Sequence, residues 1–226
     1  MARAPRSGQA SGQASGQIAL PLDWGADGAK DGPLIVGTSN ADAVRYLRHA
    51  ATWPVRTAVL TGPPGSGRSL MGRLFARDTG GRVIDGHASV GEEAMFHAWN
   101  AAQDGGPPLL IIADAPPAAW NVALPDLASR LGAVPVVTIG APDDCLARDL
   151  IEALFARRGM AIAPEVASYI VPRMERSYAM IHRIVAALDA ASLAQGRRVG
   201  IRLTRETLVS QGLIDLDLPE RQPLCR

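Results

Sequence analysis

The chain has 226 residues, 47% of them hydrophobic, and a formal net charge of +1. This length fits one large domain or a domain with a small companion, and the apolar content is sufficient for a real core. A net charge near zero provides no general attraction to nucleic acid or to a membrane surface. No apolar run resembles a cleaved leader or reaches the length of a membrane span, so we expect a cytoplasmic protein with no membrane partner.

Two contrasting segments precede the first predicted helix. Residues 1–16 consist largely of small and polar residues and predict a flexible arm, because they cannot bury apolar surface. The peptide Gln17–Leu22 (QIALPL) is apolar, and Pro21 favours an extended conformation. From these residues alone it is either a strand that covers a sheet edge or a peptide that occupies a partner's groove.

The most informative stretch is a glycine-rich loop between an apolar run at 57–61 and an amphipathic run that starts at Leu70. Glycines allow a tight turn with N–H groups facing an anion, and the following helix adds the positive end of its dipole. The spacing predicts a phosphate-binding loop, in which Ser69 would reach a magnesium ion. The alternative is a turn that binds nothing. The predicted loop residues are Gly62, Pro63, Pro64, Gly65, Ser66, Gly67, Arg68 and Ser69, followed by Leu70.

Further apolar runs indicate a parallel α/β sheet, because they alternate with helical patterns. One run ends at Asp85, where a carboxylate at the end of a strand is typical of a second magnesium ligand. The next runs from Leu109 to Asp114 and the last from Val134 to Gly140. Helices are predicted over 41–51 with Ala51 on the buried face, over 94–102 with Ala94 and Trp99 on the apolar face, and over 124–131.

Beyond residue 142 the pattern becomes entirely helical. Helices are predicted over 143–157, 164–174 and 177–195, the last with Leu193 in its core, and Thr204 is expected to cap a fourth. The last residues are predicted to form a loose tail.

The histidines have no metal-binding or nucleophile-activating spacing, so we expect ordinary surface or boundary residues at His49, His87, His97 and His182.

An α/β nucleotide domain followed by a helical lid resembles the AAA+ ATPases, and three motifs narrow the resemblance to Hda-type proteins, regulatory inactivators of the replication initiator DnaA. Gln17–Leu22 looks like their sliding-clamp-binding peptide, Gly67-Arg68-Ser69 matches the end of their phosphate loop, and 124–131 (LPDLASRL) matches their arginine-finger box. The segment at 35–43 resembles their nucleotide-proximal box. The implied fold is an AAA+ P-loop NTPase core with a small all-helical lid domain.

The resemblance implies the following domain limits: an arm at 1–16, a clamp-binding peptide at 17–24, a nucleotide-binding domain at 25–142, a lid at 143–212 and a tail at 213–226. It implies a bound ADP or ATP with Mg²⁺. The partners would be DnaA and the β sliding clamp of DNA polymerase III, with DNA contacted only through the clamp. A homodimer is left open. Arg130 would act in trans as the arginine finger, and the clamp would bind Gln17, Ile18, Leu20, Pro21 and Leu22.

The same resemblance assigns Asp85 as the Walker B aspartate and Asp114 as sensor 1, with Asn40 near the nucleotide. Arg176 is the candidate for sensor 2, because Ala179 stands at the usual arginine position. The chain also departs from the family in ways that matter. The segment between Ser69 and Asp85 is too short for an extra strand and helix, so we expect a reduced sheet with four main strands.

Two substitutions argue against efficient hydrolysis. Arg68 replaces the usual lysine, and Gly86 stands where an acidic residue would activate water. We therefore expect a protein that holds ADP and has weak or no ATPase activity of its own. Two alternatives stay open: a DnaA-like adaptor that recruits another replication protein to the clamp, and an autonomous P-loop ATPase or small-molecule kinase.

Overall fold

The computed structural model describes residues 33–215 and contains a four-stranded sheet in the order β2-β3-β1-β4. The strands are β1 (Thr57–Thr61), β2 (Arg82–Asp85), β3 (Leu109–Ala113) and β4 (Val136–Thr138). All pairings are parallel. Every residue of β1 and β3 is buried, as expected for central strands covered on both faces. The prediction of a parallel sheet reduced to four strands is confirmed.

Helices cover both faces of this sheet. The four helices of the α/β unit are α1 (Ala41–Arg48), α2 (Arg68–Thr79), α3 (Glu92–Gln103) and α4 (Pro125–Gly132). Side chains alternate along β1, so that Leu60 packs in one core cluster with α1 and α2, whereas Val59 packs in another with α3 and α4. The carboxyl ends of β1 and β3 are thereby fixed side by side, which places the phosphate loop next to Asp114.

The remaining helices form a unit with its own core. They are α5 (Asp144–Ala156), α6 (Pro164–Ile170), α7 (Tyr178–Gln195) and α8 (Ile201–Ser210). Phe155 on α5, Ile170 on α6 and Ile184 on α7 are all fully buried in one cluster, to which Leu208 of α8 also belongs. This unit is the predicted helical lid. Most of its buried side chains pack against one another, whereas Leu146 and Tyr178 join the core cluster of β1, α1 and α2.

Four details of the predicted helices are wrong. Helix α1 ends at Arg48, and a 3₁₀ turn follows, so Ala51 is exposed. Ala94 is exposed because only every third or fourth residue of α3 faces the sheet. Leu193 is 77% exposed because α7 extends past the lid core, and Thr204 is fully buried inside α8, which begins at Ile201.

Within residues 33–215, none of the helices is both long and apolar enough to cross a bilayer. The predicted arm (1–16) and the clamp-binding peptide (17–24) lie outside the described residues, as does most of the predicted tail (213–226). The first tail residues are described, and Leu213 and Ile214 are buried in the lid core rather than loose. The domain limits therefore stay predictions.

Candidate nucleotide-binding site

The phosphate loop lies between the end of β1 and the start of α2, as predicted. Gly65 and Gly67 have φ values of +79° and +87°, in the left-handed region that favours glycine. Gly67 is the N-cap of α2, and no side chain caps this helix end. Because the N–H groups of a first helical turn have no intrahelical acceptor, they remain available for an anion, which the helix dipole also favours.

Ser66 lies inside this loop and is only 6% exposed. Its hydroxyl is buried without a hydrogen-bond partner in the described part of the chain. The backbone of Gly62 approaches it so closely that a Cβ there would lie 3.2 Å from Ser66 Oγ and 2.9 Å from the Cβ of Ile139. A buried polar atom without a partner is costly, so the loop has the features of a site that a phosphate group completes.

A cavity of about 570 Å³ opens beside the loop, between residues 33–40 and the lid helices α5 and α7. Gly65, Ser66, Gly67, Arg68, Ser69 and Leu70 line it, together with Asn40, whereas Gly62, Pro63 and Pro64 complete the turn outside its wall. The apolar part of the wall consists of Leu34, Ile35, Leu146, Leu150, Leu154 and Ile181. Apolar walls next to a phosphate loop suit a nucleotide, whose base is flat and weakly polar.

The charged lining of this cavity is entirely basic. Arg68, Arg73 and Arg157 line it, as does His182, and among the described residues no Asp or Glu contributes to the wall. Such a wall attracts a polyanion and repels a cationic ligand. The residues therefore fit the phosphates of a nucleotide.

Asn40 supports the cavity wall from within. It is 3% exposed; its Oδ1 accepts from the N–H of Gly37 at 2.8 Å, and its Nδ2 donates to the carbonyl of Ile35 at 2.9 Å. Both bonds hold the segment that frames the cavity. Asn40 thus lines the cavity with its amide engaged in shaping the wall, and its contact with a nucleotide stays a prediction.

The same segment is bonded to the lid. Thr38 Oγ1 donates to a carboxylate oxygen of Asp143, whose other oxygen accepts from the N–H of Leu146 at 2.7 Å and so caps α5. Ser39 Oγ and the hydroxyl of Tyr178 on α7 lie 3.1 Å apart. We call Thr38, Ser39 and Asn40 the bridging segment.

The two lid residues that contact the bridging segment, Asp143 and Tyr178, both have shifted pKa values. Burial opposes the charged form of Asp143, but hydrogen bonds from the Leu146 backbone and from Thr38 outweigh it and lower the pKa of the carboxyl. Burial raises the pKa of Tyr178, so its phenol stays protonated and able to hydrogen-bond. The contact between segment and lid is therefore made by one carboxylate and one neutral phenol at neutral pH.

Arg68 does not extend along the loop. Its guanidinium donates to the carbonyl of Ala113 and to Asp114 Oδ1, both at 2.6 Å. The arginine side chain is 14% exposed, whereas Asp114 is 84% exposed. The structure brings together these two predicted site residues, but as an ion pair at the end of β3.

Asp85 lies at the exposed end of β2, and β3 separates it from β1. It does not line the cavity, whereas Ser69, the other predicted magnesium ligand, does. No group of three or more His, Cys, Asp or Glu side chains within residues 33–215 could hold a metal ion. A magnesium ion bound with a nucleotide needs only one or two protein ligands, so Ser69 and Asp85 stay predictions as magnesium ligands.

Arg176, the candidate for sensor 2, is bonded elsewhere. Its guanidinium pairs with Asp144 at 2.8 Å, and Arg176 is absent from the cavity wall among the described residues. The lid instead contributes His182, which lies one turn after Tyr178 on the same face of α7. His182 is exposed, in keeping with the prediction of a surface or boundary residue, but its place in the cavity wall was not predicted; the i, i+4 spacing from the buried Tyr178 is a signal that could have indicated it.

Arg130, the predicted arginine finger, lies on α4 and contacts α3. Its guanidinium carbon lies 4.4 Å from the ring centroid of Phe96 and 4.5 Å from that of Trp99. It also donates to Asn100 Oδ1. Arg130 is half-buried by these contacts within its own α/β unit, away from the cavity.

Both the helical lid and the α/β unit are similar to known proteins. The model of the family described as "Hda, lid domain" matches residues 147–208. Domain III of the Thermotoga maritima replication initiation protein DnaA superposes with a TM-score of 0.63 at 16% identity, over 78% of this chain and 94% of that one. The Thermotoga maritima RuvB Holliday junction branch migration motor gives 0.57 at 15%, over 77% and 70%.

A replication initiator DnaA bound to AMPPCP and single-stranded DNA gives 0.52 at 16%, over 69% of this chain and 63% of that one. At these identities the matches establish the fold. The α/β unit and the helical lid together have the AAA+ fold, and residues 147–208 of the lid are similar to the lid domain of Hda.

Proposed function

We propose that this chain, an Hda-type, DnaA-related AAA+ protein, is a regulator of chromosome replication initiation that holds an adenine nucleotide and acts on DnaA. The observation that carries the proposal is the basic cavity at the phosphate loop, walled by the lid and by residues that include Asn40 of the bridging segment. One of the similar structures is a DnaA bound to AMPPCP, which supports an adenine nucleotide as the ligand.

The nucleotide is held rather than turned over. Hydrolysis requires a cation on the terminal phosphate and a group that orients the attacking water. Arg68 is engaged by Asp114 and by the Ala113 carbonyl, and Gly86 provides no carboxylate. ADP is therefore the expected resident ligand. Binding would stabilise the contact between lid and α/β unit, because the cavity wall comes from both.

In this proposal, Arg130 stimulates ATP hydrolysis by DnaA. An arginine placed against the γ-phosphate of a neighbouring ATPase stabilises transition-state charge, which contributes ~10³–10⁵ in rate in known systems. The guanidinium would first have to leave Phe96, Trp99 and Asn100. The peptide Gln17–Leu22 would attach the complex to the β sliding clamp, which raises the local concentration of the two ATPases and leaves DNA contacted only through the clamp.

The test measures ATP hydrolysis by DnaA with DNA-loaded clamp and either the wild-type chain or Arg130→Ala. We expect the variant to abolish most of the stimulation. Arg183→Ala removes an exposed arginine from α7 and serves as the matched control, with stimulation unchanged. Undiminished stimulation by Arg130→Ala would reject the finger role.

A second candidate function is an adaptor that recruits another replication protein to the clamp without triggering hydrolysis. The contacts of Arg130 with α3 favour it, because they give the arginine a structural role within its own domain. Clamp binding without any stimulation of DnaA by the wild-type chain would support the adaptor. Brisk ATP turnover by the isolated chain would instead indicate an autonomous ATPase.

A further inference from the structure

His182 is the lid residue that lies directly over the phosphate loop. A Cβ built on Gly65 would lie 3.1 Å from His182 Cδ2 and 3.4 Å from its Nε2. The Cδ2–Nε2 edge of the imidazole therefore faces Gly65, on the side where a Cβ would lie. The residue is nevertheless exposed, and it lines the basic cavity beside the loop.

The position of His182 is fixed by the contacts of its helix. Tyr178, one turn earlier on α7, is 3% exposed and contacts Ser39, while Ile181 is fully buried. Gly65 has φ +79° and carries no side chain, so the loop leaves room for the ring. A larger residue at Gly65 would be strained and would also press on the imidazole.

We propose that His182 binds the phosphate groups of the nucleotide, donating from its imidazole to an oxygen held by the loop. This inference rests on the proposed nucleotide binding. The neutral ring can donate through one nitrogen and the protonated ring through both, so the contact is possible in either state. The other basic groups at the wall come from other elements: Arg68 and Arg73 from α2, and Arg157 from the end of α5. His182 thus gives α7 a direct contact with the ligand's charge.

The experiment compares the binding of ADP and of adenosine by isothermal titration calorimetry, using the full chain. For His182→Ala we expect about tenfold weaker ADP binding, the size typical of one hydrogen bond to a charged group. Adenosine binding should be unchanged, because adenosine lacks the phosphates. His182→Gln retains an N–H donor and should recover part of the affinity for ADP. The neighbouring Arg183→Ala, whose residue does not line the cavity, should bind both ligands like the wild type.

The possible outcomes separate this inference from the proposed function. If the wild-type chain binds neither ligand, the proposed nucleotide site fails and His182 fails with it. If the wild type binds ADP and His182→Ala binds it equally well, only the role of His182 is overturned. An equal loss of affinity for ADP and adenosine would also overturn it, because the residue would then shape the pocket rather than bind phosphate.

Discussion

Removing the Arg130 side chain should destabilise the protein even when DnaA is absent. The guanidinium has two aromatic contacts, each contributing about 0.5–1 kcal/mol, and a hydrogen bond to Asn100, for which about 1.5 kcal/mol is a typical lower value. Because one guanidinium makes all three contacts and such terms are not additive, we expect Arg130→Ala to lower the free energy of unfolding by about 2 kcal/mol.

Urea denaturation followed by circular dichroism measures this change. With a denaturant slope of about 2 kcal/mol per molar, the midpoint should fall by about 1 M. Asn100→Ala and the double variant complete a cycle, in which we expect a coupling of about 1 kcal/mol. A midpoint shift below about 0.2 M for Arg130→Ala would refute the reasoning, since it would mean that α3 does not hold the arginine. Stability and DnaA stimulation are separate measurements, so the variant tests both roles.

Two other predictions concern the lid. Because hydrogen bonds lower the pKa of Asp143, its contribution to stability is present above the unfolded pKa of about 4 and is lost as the pH falls through the lower folded value. In urea titrations, the difference in unfolding free energy between wild type and Asp143→Asn should therefore be largest near pH 7 and shrink below about pH 4. A difference that grows on acidification would contradict this. Phe155→Ala should lower the free energy of unfolding by about 3–5 kcal/mol, because the ring is fully buried in the lid core. Leu193 is 77% exposed, so Leu193→Ala should change it by less than about 0.5 kcal/mol in the same assay. Equal effects of the last two would show that the lid core is assigned incorrectly.

Much of the fold could be predicted because its signals are local. Residues 57–79 contain an apolar run, a glycine turn and an amphipathic helix in succession. Each of these patterns predicts its own element without reference to the rest of the chain. The parallel order of the strands follows from the alternation of strands and helices. The extent of α7 was also predicted correctly, but not that Leu193 lies beyond the lid core, because burial at a helix end depends on where the neighbouring helices stop.

The site was harder to predict, because its side chains bond to residues that are far away in the sequence. Arg68 is 46 residues from Asp114, and Arg176 is 32 residues from Asp144. Nothing in the spacing of these residues indicates that each arginine is paired with an aspartate. The position of His182 beside Gly65 likewise arises only once α7 is packed over the loop.

The bridging segment has a mechanical consequence. Thr38 and Ser39 each bond to a different lid helix, through Asp143 before α5 and Tyr178 on α7, while Asn40 fixes the backbone that frames the cavity. A swing of the lid would have to break or exchange both hydroxyl contacts together. The bridging segment therefore joins both lid helices to the backbone that frames the cavity, so that this backbone and the helical unit are held as one rigid support.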